Sequence, residues 1–208
     1  MSNSMRHWNG CQICAIDTET TGLDANFHEV VQICILPLDS DFNVRKDVMP
    51  FYINLKPDHP DRADAKALKV NRLEMAKLLQ EGHDREKAKD MLEEWVKKLG
   101  LPCTKWGNRK KIIPLGQNYG FDISFIKRWL GVELYYEIFH YHHRDTMIAA
   151  AFLNDVDAMK VEKIRYPKIG LKYLCNLLNV ELYGHHDALQ DCRATAEVYK
   201  KLIQRGFF

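Results

Sequence analysis

The sequence CQICAIDTETTG occupies Cys11–Gly22 and begins with a run of apolar residues. Its first part, Cys11–Ile16, predicts a buried β-strand. Asp17 and Glu19 follow two positions apart, and on a strand this spacing directs both side chains to the same face of the sheet. Two neighbouring carboxylates repel each other, so each has a raised pKa unless a cation neutralises them. Since α/β sheets build their sites at strand ends, the pair indicates either a cation site or a solvated acidic end of the strand.

The spacing of apolar residues predicts further strands and helices along the rest of the chain. Strands are expected at Val30–Leu38, Val48–Leu55, Ile112–Gln117 and Tyr141–Arg144, and helices at Asp122–Leu130, Asp145–Leu153, Leu171–Leu178 and Asp187–Gln204. Helical spacing also begins at Asn71 and continues until Pro102. Short connections between the first three strands indicate an antiparallel meander. The later alternation of helices and strands predicts an α/β sandwich around a mixed sheet.

Composition limits the class of protein. With 46% apolar and 28% charged residues, the chain is neither disordered nor collagen-like nor a coiled coil, and one domain over 1–208 is expected. No apolar run approaches the ~18 residues of a membrane span. Residues 1–10, predicted to be a flexible lead-in, lack the apolar core of a secretion signal, so we expect a cytoplasmic protein. The net charge of +2 is too small to indicate a nucleic-acid partner by itself.

The six cysteines raise the question of zinc or disulfides. Cys11 and Cys14 have the CxxC spacing of metal-binding knuckles. On a strand, however, positions three apart project to opposite faces, so the two sulfurs cannot bind one ion. The absence of a secretion signal indicates a reducing compartment, which disfavours disulfides. We therefore expect Cys11 and Cys14 to be ordinary buried thiols.

More acidic residues stand near the starts of predicted helices. Asp122 follows the strand at 112–117 and opens a helix, where an aspartate commonly caps backbone N–H groups. Asp145 has the same context and is interpreted as a cap. Asp187 and Gln190 resemble a capping box, which places the start of the last helix at Asp187.

A histidine and an aspartate flank that helix start. His186 precedes it on a flexible lead-in, and Asp191 lies one turn inside it, so a mobile imidazole and a fixed carboxylate come near each other. The neighbouring His185 is interpreted as an ordinary surface or core residue.

From Asp17 to Asp191 the chain resembles the DEDDh branch of the 3′–5′ exonucleases. It carries three strings in the order of that family: Asp17-x-Glu19 with a Thr-Thr-Gly continuation, Asn118-x-x-Phe121-Asp122, and His186-x4-Asp191. The sister branch has Tyr-x3-Asp, but Asp187 occupies the tyrosine position here. The resemblance implies a ribonuclease H-like fold, with a mixed five-stranded sheet in which one strand is antiparallel, and helices on both faces.

The resemblance also implies two divalent cations, Mg²⁺ or Mn²⁺, held by Asp17, Glu19, Asp122 and Asp191. Asp17 would bridge the ions, Glu19 and Asp191 would complete the nucleophile-side site, and Asp122 would hold the other ion. Ions about 3.5–4 Å apart stabilise the attacking and leaving oxygens of an in-line phosphodiester displacement. His186 would take the proton of the attacking water, a role that suits an ordinary imidazole pKa of about 6.5.

The family recognises the free 3′ end with the segment after the first acids. By this resemblance, Thr20 would meet the terminal hydroxyl through its backbone, and Leu23 would wedge against the last base. Asn118 and Phe121 would flank the second-last nucleotide. For Leu23 and Phe121, core packing is the alternative.

Two basic segments are candidates for contacts with phosphates. Five basic residues lie between Lys160 and Lys172 with Tyr166 among them, so this segment is interpreted as a track for the phosphate backbone with an aromatic ring that stacks on a base. A second cluster lies in Lys105–Lys111. For both segments a solvated surface is the alternative.

The sequence analysis favours a 3′–5′ exonuclease acting on single-stranded or frayed DNA. An exoribonuclease that trims RNA is the alternative substrate class, and a non-catalytic nucleic-acid-binding or partner-binding domain is the alternative of another kind. Gln32 stands where many members of the family have Glu, and little effect on turnover is expected because that position is outside the metal set. The chain ends soon after its last predicted helix, which favours a stand-alone or virus-encoded enzyme over a tethered proofreading subunit.

Overall fold

Five strands form one mixed sheet in the computed structural model, which describes residues 10–104, 106–160, 163–184 and 186–206. The central strand β1 (Gln12–Thr20) pairs antiparallel with β2 (Val30–Pro37) and parallel with β4 (Ile112–Gly116). β3 (Phe51–Asn54) extends the sheet beyond β2, and β5 (Arg144–Asp145) pairs parallel with β4. The order is β3-β2-β1-β4-β5, and β2 alone runs against the other strands of this sheet. The predicted mixed sheet with one antiparallel strand is confirmed.

Helices cover both faces of this sheet. In chain order they are α1 (Ala65–Asn71), α2 (Met75–Glu81), α3 (Arg85–Lys98), α4 (Tyr119–Leu130), α5 (Val132–Ile138), α6 (Thr146–Met159), α7 (Leu171–Leu178) and α8 (Ala188–Arg205). None of the helices in the described ranges has both the length and the apolar run needed to cross a bilayer.

The two faces of β1 pack against different helices. Cys14 and Ile16 lie in a buried cluster with residues of α3 and α4, whereas Cys11, Ile13 and Ala15 lie in a cluster with residues of α8. Cys11 and Cys14 are therefore on opposite faces, as predicted, and cannot share a metal ion. All six cysteines are free thiols, and five of them are buried while Cys103 is exposed. The prediction that Cys11 and Cys14 are ordinary buried thiols is confirmed.

Several predicted boundaries are corrected. β1 continues to Thr20 instead of ending at Ile16, because the residues after Ile16 pair with β2 up to an irregularity between Glu19 and Thr20. α4 begins at Tyr119, three residues before the predicted start. α1 precedes the predicted helical segment, and α5, which follows Gly131 (φ 84°), was not predicted.

Candidate active site

Asp17 and Glu19 lie near the end of β1, on the strand face that packs against α8. Glu19 is only 6% exposed. Burial, followed by repulsion from Asp191 and Asp122, raises the pKa of Glu19 to about 8. Burial and the carboxylates of Asp122, Glu19 and Asp191 raise the pKa of Asp17 well above its ordinary value. The predicted placement of both acids on one face is confirmed, and their surroundings penalise negative charge.

Asp122 reaches the same cluster from α4, in the opposite layer. Asn118 occupies the cap position of α4 with a left-handed backbone (φ 61°), so Asp122 lies inside the first turn and the prediction that it caps the helix is wrong. Its Oδ1 instead accepts a 2.7 Å hydrogen bond from the Thr18 hydroxyl. Burial raises the pKa of Asp122 to about 7, and the Thr18 hydrogen bond acts in the opposite direction.

α8 supplies the third component of the site. Asp191 lies buried in the first turn of this helix. The backbone of His186 has a φ of 70°, and its N–H donates to Asp191 Oδ2 at 3.1 Å. One potential ligand atom from each of Glu19, His186 and Asp191 lies within 4.8 Å of the others. The folded chain thus places the predicted histidine beside two of the predicted carboxylates.

Two other aspartates have structural roles, as predicted. Asp145 caps α6, and its Oδ2 accepts a 2.7 Å hydrogen bond from the N–H of Tyr119, which also fixes the start of α4. Asp187 caps α8 by accepting from the N–H of Gln190 at 3.1 Å, and it accepts a 2.6 Å hydrogen bond from the Tyr52 hydroxyl.

The donor set fits a divalent cation. Burial is the largest cause of each raised pKa, and for Asp17 and Glu19 the neighbouring carboxylates add to it. A bound cation removes this penalty, and carboxylate oxygens are the ligands that hard divalent ions prefer. Glu19, His186 and Asp191 therefore form a candidate metal site, and the predicted ligands Asp17 and Asp122 lie outside this group of ligand atoms within 4.8 Å.

The predicted substrate-binding residues lie on two segments beside the cluster. Leu23 is 83% exposed on the loop after β1, so the core-packing alternative is wrong for it. Phe121 is partly buried against a second phenylalanine of α4, with ring centroids 4.8 Å apart, and Asn118 is exposed. Thr20 is buried, and its carbonyl accepts a 2.9 Å hydrogen bond from Asn71 Nδ2.

Two further residues position the predicted ligands: Thr18, which the sequence analysis missed, and Gln32, to which it assigned no such role. Thr18 binds Asp122, as described above. Gln32 is buried between β2 and α8; its Oε1 accepts from the N–H of Ala188 at 3.0 Å, and its Nε2 donates to Asn54 Oδ1 at 2.9 Å. The period-two alternation of β1, which puts Thr18 on the face of α4, was the available signal for the first; for Gln32 the sequence carried none.

The basic segments differ from the prediction. Tyr166 is 1% exposed and cannot stack on a base, so that prediction is wrong. The guanidinium of Arg165 is held by Asp157, with Nε 2.7 Å from Oδ2. The lysines of this segment are exposed: Lys160, Lys163, Lys168 and Lys172. Lys105 of the second cluster and His185 lie outside the described residues.

Comparison with known proteins identifies a family and a fold. The sequence profile of the family described as “Exonuclease” (RNase_T) matches residues 14–199, which include every predicted site residue. No curated protein matches this sequence.

Solved structures share the architecture. Exonuclease I from Methylocaldum szegediense superposes with a TM-score of 0.70 at 20% identity, over 94% of this chain and 41% of that one. Exonuclease I from E. coli in complex with a dT13 oligonucleotide gives 0.68 at 18% identity, over 95% and 42%. The zinc-bound E. coli exonuclease I complex with single-stranded DNA gives 0.68 at 17%, over 94% and 41%. The predicted ribonuclease H-like fold is confirmed, and the chain spans about two fifths of the length of these proteins.

Proposed function

Because this chain belongs to the exonuclease family, we propose that it is a metal-dependent 3′–5′ exonuclease that releases nucleoside 5′-monophosphates from single-stranded or frayed DNA. The observation that carries the proposal is the convergence of carboxylates from β1, α4 and α8, in which burial raises the pKa values of Asp17, Glu19 and Asp122, and neighbouring carboxylates raise those of Asp17 and Glu19 further. Such a cluster does not stabilise the fold by itself, and it therefore favours a cation-binding role.

The proposed metal ligands are Asp17, Glu19, Asp122 and Asp191, and the proposed cofactor is a pair of Mg²⁺ or Mn²⁺ ions. When bound, such ions stabilise the charge on the attacking and leaving oxygens of an in-line displacement. Thr18 holds the carboxylate of Asp122 in one orientation, and Gln32 fixes the first turn of α8 from which Asp191 projects.

His186 accepts the proton of the attacking water. The water oxygen bonds to the last phosphorus while the bond from phosphorus to the preceding O3′ breaks. The leaving oxygen takes a proton from solvent and becomes the new 3′ hydroxyl, and a nucleoside 5′-monophosphate departs. This role is supported by the position of the imidazole within 4.8 Å of ligand atoms of Glu19 and Asp191.

The 3′ end binds against the residues that flank the carboxylates. The exposed side chain of Leu23 wedges against the last base, and the backbone of Thr20 meets the terminal hydroxyl. Asn118 and Phe121 contact the second-last nucleotide. The choice of single-stranded DNA is supported by the E. coli relatives, whose structures contain a dT13 oligonucleotide and single-stranded DNA.

A time course on 5′-labelled oligonucleotides tests the proposal. DNA and RNA of matched sequence, single- and double-stranded, are incubated with Mn²⁺ or with EDTA. We expect labelled single-stranded DNA to shorten progressively in Mn²⁺ and to stay intact in EDTA. Immediate release of the label as a mononucleotide would contradict the polarity, and shortening in EDTA would contradict the metal dependence. Faster digestion of RNA than of DNA would favour the alternative function, an exoribonuclease.

A further inference from the structure

A groove runs between the loop that carries Leu23 and the outer face of α4. Phe121 and Ser124 line its α4 side, and Leu23 lines the other. The groove continues into a second pocket, since Phe125 and Arg128 line both. Leu23 and Phe121, which are proposed above to contact the terminal nucleotides, both line this groove, so it adjoins the proposed binding site of the 3′ end.

The second pocket is lined by more cations than anions. Its charged and titratable residues are Arg62, Arg85, Arg128, His28, His59, Glu29 and Asp58. Both acids already have partners. The Glu29 carboxylate accepts a 2.8 Å hydrogen bond from the N–H of His59, and Asp58 Oδ2 lies 3.4 Å from the Nε of Arg85. Arg85 is thus neutralised within the protein.

Arg62 and Arg128 are the remaining cations of the pocket. Within the described ranges neither forms an ion pair with a carboxylate. The guanidinium of Arg62 lies over the ring of Phe27, 5.4 Å from its centroid. Arg128 is exposed. Burial of Arg85 is the largest cause of its lowered pKa, and the positive charge of Arg128 lowers that pKa further. Since like charges near one another are unfavourable without an anion, the pocket favours a negatively charged ligand.

We propose that this groove binds the nucleic-acid strand on the 5′ side of the cleaved bond, and that Arg62 and Arg128 bind one of its backbone phosphates. This inference rests on the proposed function and extends the site upstream of the terminal nucleotides. The apolar walls at Leu23 and Phe121 suit bases, and guanidinium groups suit phosphate oxygens because they donate paired hydrogen bonds. The two arginines position the strand and do not touch the reacting atoms.

The test compares wild type with Arg128→Gln on single-stranded oligonucleotides from two to twelve nucleotides long. We expect the effect to grow with length: KM rises less than about twofold for the dinucleotide and about 3- to 30-fold for the longest strand, while kcat is kept. Binding of the long strand in EDTA is measured against salt concentration. In Arg128→Gln the magnitude of the slope of log K against log salt should be smaller than in wild type by about 0.7, the value for one lost phosphate contact on a single strand.

Two further variants keep the result interpretable. Lys97→Gln removes one charge from the exposed end of α3, away from the groove, and should leave the salt slope of wild type. Ser124→Glu adds a negative charge to the groove at an exposed helix position and should raise KM for long strands, as Arg128→Gln does.

An unchanged KM and salt slope in Arg128→Gln would overturn the inference, and so would an equal loss at every substrate length. Failure of the proposed function appears separately, as wild-type protein that hydrolyses no substrate, and the binding measurement in EDTA still tests the groove.

Discussion

The hydroxyl of Thr18 donates a 2.7 Å hydrogen bond to Oδ1 of Asp122, joining two residues 104 positions apart in the chain. Thr18 stands between Asp17 and Glu19 in sequence but points to the other face of β1. One strand therefore supplies two carboxylates to the cluster and also orients a third, which α4 delivers from the opposite layer.

Removal of this hydroxyl should weaken metal binding. In Thr18→Val the buried carboxylate of Asp122 loses a donor that lowers its pKa, so less of it is ionised at pH 7. A lost hydrogen bond to a charged group costs about 1.5–3 kcal/mol, which corresponds to about a 10- to 100-fold higher Mn²⁺ concentration for half-maximal rate. Thr18→Ser keeps the hydroxyl and should behave like wild type. If serine and valine give the same Mn²⁺ dependence, the hydrogen bond has no such role.

Stability of the metal-free protein should fall as the pH rises. The folded-state pKa values of Glu19 and Asp122, about 8 and about 7, exceed the ordinary values of about 4.3 and 3.9, so the folded chain holds more protons than the unfolded chain between these limits. The stabilising contribution is complete below about pH 4 and is lost as the pH rises through about 7 to 8. Thermal unfolding in EDTA should give a Tm that decreases from pH 5 to pH 8, and added Mn²⁺ should raise the Tm most at pH 8.

Glu19→Gln provides the matched test of that pH dependence. The substitution removes a buried carboxyl that repels its neighbours, so in EDTA at pH 8 the variant should have a higher Tm than wild type and a smaller response to Mn²⁺. Glu93→Gln, on the exposed face of α3, should leave both quantities unchanged. A lower Tm for Glu19→Gln under these conditions would argue against a repulsive cluster.

The two adjacent histidines should differ in their contribution to the rate. His186→Ala removes the proposed proton acceptor and should lower kcat by about 10²–10⁴-fold. His185→Ala should be nearly silent in the same steady-state assay. Since an imidazolium cannot accept a proton, the wild-type rate should also fall below about pH 6.5. A large loss in His185→Ala with a small one in His186→Ala would reassign the role.

Gly22 leaves room for the imidazole of His28, which forms a hydrogen bond to the loop that carries Leu23. A Cβ at this position would lie 2.3 Å from Nε2 of His28, whose Nδ1 accepts a 3.2 Å hydrogen bond from the N–H of Asp24. Gly22→Ala should therefore displace the loop, lower the free energy of unfolding by about 1–3 kcal/mol and raise KM. Gly170→Ala meets no atom within 4 Å and should change neither quantity. Equal unfolding curves for the two variants would show that the loop tolerates a displaced His28.

β2 and β4 were predictable because they are apolar runs that are buried on both faces, whereas the partly exposed β3 and the two-residue β5 are shorter than or displaced from the predicted Val48–Leu55 and Tyr141–Arg144. Val30–Leu38 and Ile112–Gln117 agree with β2 and β4 to within one residue at either end. The end of β1 was not predictable, since Asp17 and Glu19 are poor strand residues that are held extended only by pairing with β2. The local sequence of β1 does not indicate that these residues pair with β2.

The residues of the proposed site could be selected from the sequence, but their surroundings could not. The motif spacing selected Asp122, yet its partner Thr18 became visible only once α4 and β1 were packed together. Tyr166 shows the opposite failure, because a tyrosine among lysines resembles a surface residue, whereas burial between helices removes it from solvent. A sequence shows which charged and aromatic residues a segment contains, but the packing of the fold decides which of their side chains reach solvent.

Release of nucleoside 5′-monophosphate from single-stranded DNA in Mn²⁺, compared between wild type and Asp17→Asn, tests the central claim most directly. The amide keeps the size of the side chain and removes its charge, so the variant should unfold at a temperature at least as high as that of wild type in EDTA. We predict that it releases no nucleotide above background while wild type digests the strand. Wild-type rates in a folded Asp17→Asn protein would contradict a catalytic cation bound by this carboxylate cluster.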